Sequence, residues 1–389
     1  MATENVSLLQ STGRVLAEPV LADRDFPPFP RATRDGFAVR AADLKSVPTL
    51  LKVVGQVKAG SSYPRLLSSG EAVEIMTGAP GPSGSDAVVM VEYTVRRGNS
   101  VEIQRSCNPG ENLVPTGSEA RAGQEMLPRG TRLNFAHIAV ASAVGRASLQ
   151  VYKKPRVAIL STGDELVELS EKPRAHQIRN SNSYSLAAQV LASGGEPWQL
   201  PIAPDDATRT QELIQRGLES DLLLLSGGVS MGKFDLVEQA LSELGAEFFF
   251  TGAAIQPGRP VVFGQAKTLT KPASTPFFGL PGNPVSTMVT FELFAAAVLR
   301  ARGGQLPVRL TTAMARLSKE IKTKTGLTRF LPAILIGSLY DPVVEIVPWQ
   351  GSGDLQASAR ANCYVVVPPG RESIAAGEMI SVLMRSCPN

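Results

Sequence analysis

Residues Asp221–Asp235 read DLLLLSGGVSMGKFD, and the parsing of that stretch decides the fold. Leu222–Leu225 is too short for a helix and fits a fully buried strand. Ser226, Gly227, Gly228, Ser230 and Gly232 follow, small residues that let the backbone approach a ligand and aim N–H groups at an anion. Phe234–Leu244 (FDLVEQALSEL) has the pattern of an amphipathic helix, stopped by Gly245. A strand, a glycine-rich turn and a helix N-terminus form a phosphate pocket in many open α/β sheets. The same letters also suit a tight turn that binds nothing.

Working outward, the neighbouring sequence alternates strands and helices. Arg156–Leu160 predicts a buried strand running into the loop STGDEL, and Ser181–Leu191 a helix closed by Gly194-Gly195. Trp198–Ile202 predicts a strand, with Asp205 and Asp206 at the head of a helix over Ala207–Gly217. Glu247–Phe250, Val261–Gly264 and Phe277–Gly279 predict further strands, the last two flanking a polar insert at Lys267–Ser274. Leu280–Ser286 (LPGNPVS) leads into a long helix to Arg300, with Asn283 as N-cap and Pro284 at the first helical position, where its missing N–H costs nothing. Repeated βα units imply a mostly parallel sheet with helices on both faces.

The remainder reads differently. Asn5–Ala17 predicts a short amphipathic helix. Short strands and turns between Phe26 and Gln104 predict a β-rich unit, with the proline-stiffened FPPFPRATRDGFAVR holding Asp35-Gly36 on a rigid loop or in a plain Asp-Gly turn. Phe135–Val144 predicts a helix, and Tyr152–Pro155 a linker. After Gly303-Gly304, strands return at Val343–Val347 and Tyr364–Val367. The expected fold class is therefore multidomain α/β. The divisions are 1–25 with 105–150, an inserted β-rich unit 26–104, the α/β unit 151–304 and a β unit 305–389.

Bulk properties narrow the function. In 389 residues, 43% hydrophobic and 19% charged describe an ordinary globular chain of more than one domain. A net charge of +4 suits anionic small substrates, and no basic run with interleaved aromatics argues for nucleic acid. Cys107, Cys363 and Cys387 lack CxxC spacing, which fits a reducing compartment rather than zinc or disulfides. Met1–Gln10 has no signal-peptide pattern, and no apolar stretch approaches the ~18 residues of a membrane helix, so a cytoplasmic protein is expected.

Candidate chemistry collects at the carboxyl ends of the α/β strands. Glu165 follows the first strand, Asp205 and Asp206 another, and Asp235 lies in the first turn after the glycine loop. Asp206 reads equally as an N-cap and Asp235 as a complement to the helix dipole. Carboxylates beside a phosphate cradle call for a hard cation, and Mg²⁺ is the natural one. Arg259 in PGRP offers a fork for an oxyanion, and Ser286 with the first N–H groups of its helix offers a second oxyanion-binding end. His137, inside an apolar helix, and His176, in a polar loop, suit structural or solvated roles.

Taken together, FPPFPRATRDGFAVR, IMTGAP, AVVMVE, PRVAILSTGDEL, SGGVSMGKFD, PGRPVVFG, GLPGNPVS and GSGDLQASARANCYVVVP resemble, in order and over nearly the whole chain, the molybdopterin molybdenumtransferases. That family is MoeA in bacteria and the C-terminal regions of gephyrin and cinnamon in eukaryotes. The resemblance implies a four-domain homodimer that takes adenylylated molybdopterin and molybdate and, with Mg²⁺, releases molybdenum cofactor and AMP. It further implies that the α/β unit of one subunit faces the β-rich unit of the other across the active cleft. Glu165, Asp206 and Asp235 match the family's acidic site residues, Asp35 its DGYA-type acid and Thr77 the threonine of TGAP. Pro281, Asn283, Pro284 and Ser286 match the LPGNPVS loop, and Pro257, Gly258 and Arg259 the PGRP turn, where the family has Lys or Arg. Ala32-Thr33-Arg34 departs from the family's usual Ser-Ala-Met. A molybdopterin adenylyltransferase and molybdoenzyme acceptors are the implied partners. Two rivals are a scaffold or inactive paralogue that binds molybdopterin without turnover, and the adenylyltransferase itself. The latter is a single small domain whose loop reads GGTG where this chain has GGVS.

Overall fold

The computed structural model describes residues 1–228, 236–268 and 273–385. At its centre is a six-stranded sheet in the spatial order Glu196–Gln199, Arg156–Ser161, Leu222–Ser226, Thr275–Leu280, Val262–Ala266, Glu247–Phe250. The first four strands are mutually parallel, whereas the last two join antiparallel. Chain continuity explains the reversal: the strands at 262–266 and 275–280 are joined by only eight residues, and so short a connection can only return antiparallel.

Leu222–Leu225 are all fully buried, and alternate residues serve opposite faces. Leu223 and Leu225 pack with Leu213, Ile214 and Leu218 of helix Ala207–Leu218 and with Val237 and Leu241 of helix Leu236–Glu243. Leu222 and Leu224 pack with Leu186 and Val190 of helix Ser181–Ala192 and with Phe291 and Leu299. A strand covered on both faces needs no polar alternation, which is why four leucines run together.

Phe291 and Leu299 belong to one helical run, Pro284–Arg302, interrupted by a π turn at Phe291–Ala295. This corrects the expectation that no segment reaches membrane-spanning length. Eighteen of its 19 residues form a stretch of mean hydropathy 1.3, yet 61% of that stretch is buried inside the protein. Its apolarity is that of a helix wedged between the central sheet and the C-terminal region.

The predicted helix at Asn5–Ala17 is absent. Thr3–Ser7 is a strand paired antiparallel with Ser148–Tyr152, followed by one 3₁₀ turn at Leu9–Ser11. Gly13, at φ +77°, interrupts any helix there; long-range pairing outweighs weak local helix preference. A second six-stranded sheet contains Gly36–Val39, Thr49–Val57 and Glu71–Ile75. A third lies in the C-terminal region, and Ile255–Gln256 from the central region joins it, parallel to Thr328–Arg329. The central and C-terminal regions thus share both a sheet edge and an apolar cluster of Ile255, Val285, Val289, Phe330, Tyr364 and Leu383.

A strand-exit cavity as the candidate active site

Three adjacent parallel strands end together, and hydrogen bonds beyond their last residues keep the exits in register. Thr162 N–H donates to Ser226 O at 3.1 Å, Gly163 N–H to Ala203 O at 3.1 Å and Gly227 N–H to Leu280 O at 3.2 Å. Gly227 and Gly228 both have positive φ, +89° and +63°. A Cβ on Gly227 would lie 2.9 Å from the Thr162 carbonyl oxygen, and one on Gly228 2.7 Å from Val237 Cγ2. Glycine is required at both positions. Above the exits opens a cavity of about 480 Å³, bordered by Thr162, Glu165, Ser226, Gly227 and the loop Gly282–Pro284. Its far wall carries Gly353 and Leu355 from the C-terminal region.

The predicted residues distribute unevenly around it. Ser226 ends the central strand, buried, its hydroxyl accepting from Asn182 Nδ2 at 2.9 Å. Glu165 is exposed on the rim, its carboxylate folded over Gly163, where a Cβ would lie 2.1 Å from Oε2. Asp206 does not line the cavity. It caps helix Ala207–Leu218, Oδ1 accepting from Arg209 N–H at 2.7 Å, so the capping alternative describes its contact. Ser230, Gly232 and Asp235 lie outside the described residues. Among the described residues no three acidic, histidine or cysteine side chains cluster as a metal site.

Two expectations at the last helix are corrected. Asn283 occupies the N-cap position but makes no side-chain capping bond. Instead, Val285 N–H donates to Ser352 O at 2.9 Å, across to the C-terminal region. With that N–H spent, Pro284 having none and Ser286 only 4% exposed, the helix end is not the open oxyanion site expected from sequence. Pro281, just before Gly282, has its carbonyl accepting from Thr287 Oγ1 and does not itself border the cavity. Pro257 and Gly258 are buried, and a Cβ on Gly258 would lie 2.4 Å from Thr290 Cγ2, so the PGRP turn packs tightly on the helix. Arg259 is exposed and does not border the cavity.

Asp35 and Thr77 are brought together elsewhere, on the N-terminal sheet. Asp35 Oδ1 accepts from Thr77 N–H at 2.7 Å and from Thr77 Oγ1–H at 2.8 Å. These two donors hold the carboxyl below its ordinary pKa, the backbone one most strongly. Gly36 is obligatory beside it, since a Cβ would fall 1.9 Å from the Val89 carbonyl oxygen. The pair is exposed and borders no part of the strand-exit cavity.

Sequence reasoning missed Asn182, Arg179 and the Gly353–Leu355 wall. The signal for Asn182 was the polar run RNSNS ahead of a helix, which also reads as ordinary capping; Asn180 does cap that helix.

Comparison with known proteins agrees with this architecture. Residues 1–145 match the MoeA N-terminal region (domain I and II), 158–301 the probable molybdopterin binding domain, and 314–384 the MoeA C-terminal region (domain IV). The chain is 37% identical to a molybdopterin molybdenumtransferase of Nostoc sp. over 98% of its own length and 88% of that protein's. It is 32% identical to the Bacillus subtilis protein of the same name, covering 98% and 90%. Among solved structures, a molybdopterin biosynthesis moeA protein from Pyrococcus horikoshii OT3 superposes with TM-score 0.79 at 29% identity, covering 98% of this chain and 94% of that one. With full-length relatives above 30% identity and the same three regions in the same order, this chain belongs to the molybdopterin molybdenumtransferase family.

Proposed function

We propose that the protein inserts molybdenum into molybdopterin, taking adenylylated molybdopterin and molybdate and yielding molybdenum cofactor and AMP. The observation that carries this reading is the cavity where three strand exits meet, bordered by Gly227, Gly282 and Gly353. Such an exit is where open α/β sheets bind ligands, and full-length relatives carry the corresponding name.

In this reading the chain's own residues do three things. Gly227 and Gly228 let the chain turn tightly against Thr162 and Val237 at the strand exit, which shapes the floor on which a phosphorylated ligand would sit. Glu165, free on the rim, and Asp206, whose Oδ2 is not used by its cap, supply carboxylate oxygens for Mg²⁺, with Asp235 as a third donor. Mg²⁺ commonly takes only one or two protein carboxylates together with substrate phosphates, so Glu165 on the cavity rim suits it without a preformed cage. When bound, the cation would neutralise charge developing on the phosphoanhydride as AMP departs. Arg259, exposed on the PGRP turn, would supply the cationic fork for molybdate.

We further propose a cytoplasmic homodimer in which Asp35 and Thr77 of one subunit complete the partner's cavity. An exposed carboxylate kept ionised by two donors, yet remote from the cavity of its own chain, is consistent with that arrangement. A molybdopterin adenylyltransferase would supply the substrate and molybdoenzymes would take the product. The four-unit division stated above is also our proposal. It is supported by pairing of Thr3–Ser7 with Ser148–Tyr152 and of Val20–Leu21 with Glu125–Leu127, which joins the ends of the N-terminal third.

The test follows AMP release from adenylylated molybdopterin with Mg²⁺, with and without molybdate. Molybdate-dependent release is expected. Tight binding without any release would replace this reading with the scaffold, and ATP consumption with plain molybdopterin would replace it with the adenylyltransferase.

A further inference from the structure

Asn182 stands at the junction of the strand exits. Its Nδ2 donates to Ser226 Oγ at 2.9 Å and to the Gly282 carbonyl oxygen at 2.8 Å, with Thr287 Oγ1 a longer third neighbour at 3.4 Å. One amide nitrogen therefore joins the end of the central strand to the loop and helix that follow the next. A carbonyl can only accept, so the bond to Gly282 fixes the amide's orientation: nitrogen toward the protein, oxygen the other way. That oxygen, Oδ1, is buried and has no hydrogen-bond partner among the described residues, and Asn182 borders the cavity. A buried acceptor without a donor is costly and uncommon in native proteins.

We propose that Asn182 is a ligand-binding residue of this cavity, its Oδ1 accepting from a ring N–H or amino group of the pterin. The inference rests on the reading of the cavity as a molybdopterin site and says which part of the ligand lies where. A phosphate ionised at neutral pH has little hydrogen to offer an acceptor, so this wall suits the heterocycle and not the phosphate. The lining of the same cavity includes Leu166, Ile178, Pro284 and Leu355, apolar surface of the kind a flat ring requires. With the nitrogen committed to the protein, the amide is already oriented before the ligand arrives, and little side-chain ordering remains to be done on binding.

The experiment compares wild-type protein with Asn182→Ala and Asn182→Asp by titration with molybdopterin, with melting curves alongside. Both variants lose the nitrogen donors that hold the loops, but only Asp retains an oxygen able to accept from the ring. Their difference therefore reads the acceptor alone. A parallel titration with 6-hydroxymethylpterin, which has the ring edge and no phosphate, removes any effect of the new negative charge on an anionic ligand. We expect Asn182→Ala to weaken molybdopterin binding roughly five- to tenfold, the size of one lost hydrogen bond. Asn182→Asp should bind 6-hydroxymethylpterin at least severalfold more tightly than Asn182→Ala. Equal affinity of wild type and Asn182→Ala overturns the proposal. So do equal losses for both variants with both ligands, which would confine Asn182 to holding the loops. Failure of wild-type protein to bind molybdopterin at all would instead remove the reading of the cavity itself, and this inference with it.

Discussion

Asp35, just ahead of the strand Gly36–Val39, titrates according to its contacts with Thr77. Two donors from Thr77 favour the charged form, so its pKa lies below the usual carboxylate value. The sign follows: the stabilising contribution is complete above the unfolded-state pKa and is lost as pH falls through the lowered folded one. Replacing Thr77 by Val removes the hydroxyl donor and leaves the N–H, so the Asp35 pKa should rise part of the way toward its ordinary value. Carbon-13 NMR titration of the side-chain carboxyl reads this directly, and an unchanged midpoint would show that the hydroxyl contributes nothing. Cysteine chemistry is decided by burial. Cys363 is fully buried, its thiol pushed up to about 11 by desolvation. A thiolate is scarce there near neutral pH, so Cys363 should escape alkylation by iodoacetamide in the native protein and react once urea unfolds it, as peptide mass mapping would record.

At the scale of elements, the question is what Asp206 does. Its Oδ1 caps helix Ala207–Leu218 through Arg209 N–H, a contact whose loss typically costs about 1 kcal/mol. Asp206→Ala should lower stability by about that amount in urea unfolding, whereas Asp206→Ser, which can still cap, should recover most of it. If Asp206 also binds the cation, both variants lose turnover; Asp206→Ser with wild-type AMP release would leave it only the cap. The helix Pro284–Arg302 shows a different economy at its start. Its first free N–H, on Val285, is satisfied by Ser352 O from a distant strand-and-loop region in place of the Asn283 side chain. A helix end closed by tertiary contact needs no local cap, which is why the Asn-Pro signal located the helix start and misassigned its partner.

Across the whole molecule, the central and C-terminal regions are held by a shared core. Tyr364 is 1% exposed and packs with Val285 and Val289 of the long helix and with Ile255. Truncating it should open a cavity where the two regions meet, costing about 3–5 kcal/mol, as large aromatic truncations do. Denaturant unfolding of Tyr364→Ala should show that loss. A variant as stable as wild type would mean that the two regions are not coupled through this cluster. The same coupling places Gly353 and Leu355 on the wall of the strand-exit cavity, so loosening the seam should also weaken ligand binding there.

What the sequence determined by itself was local and periodic. Four consecutive leucines specify a strand covered on both faces, since only a two-sided core removes the need for polar alternation. The glycines after that strand marked a turn rich in small residues, and the motif order across the chain named the family. Only the tertiary structure could turn Asn5–Ser7 into a strand, because its partners Ser148–Gln150 lie about as far away in sequence as the N-terminal third allows. Only it could show that Asp206 is capping, that Asn283 is not, and that the amide of Asn182 joins two strand exits with its oxygen left over. Each of these depends on which distant group arrives within hydrogen-bonding range. That range is about 3 Å and is set by packing of the whole chain, which local patterns of hydrophobicity and turn residues do not encode.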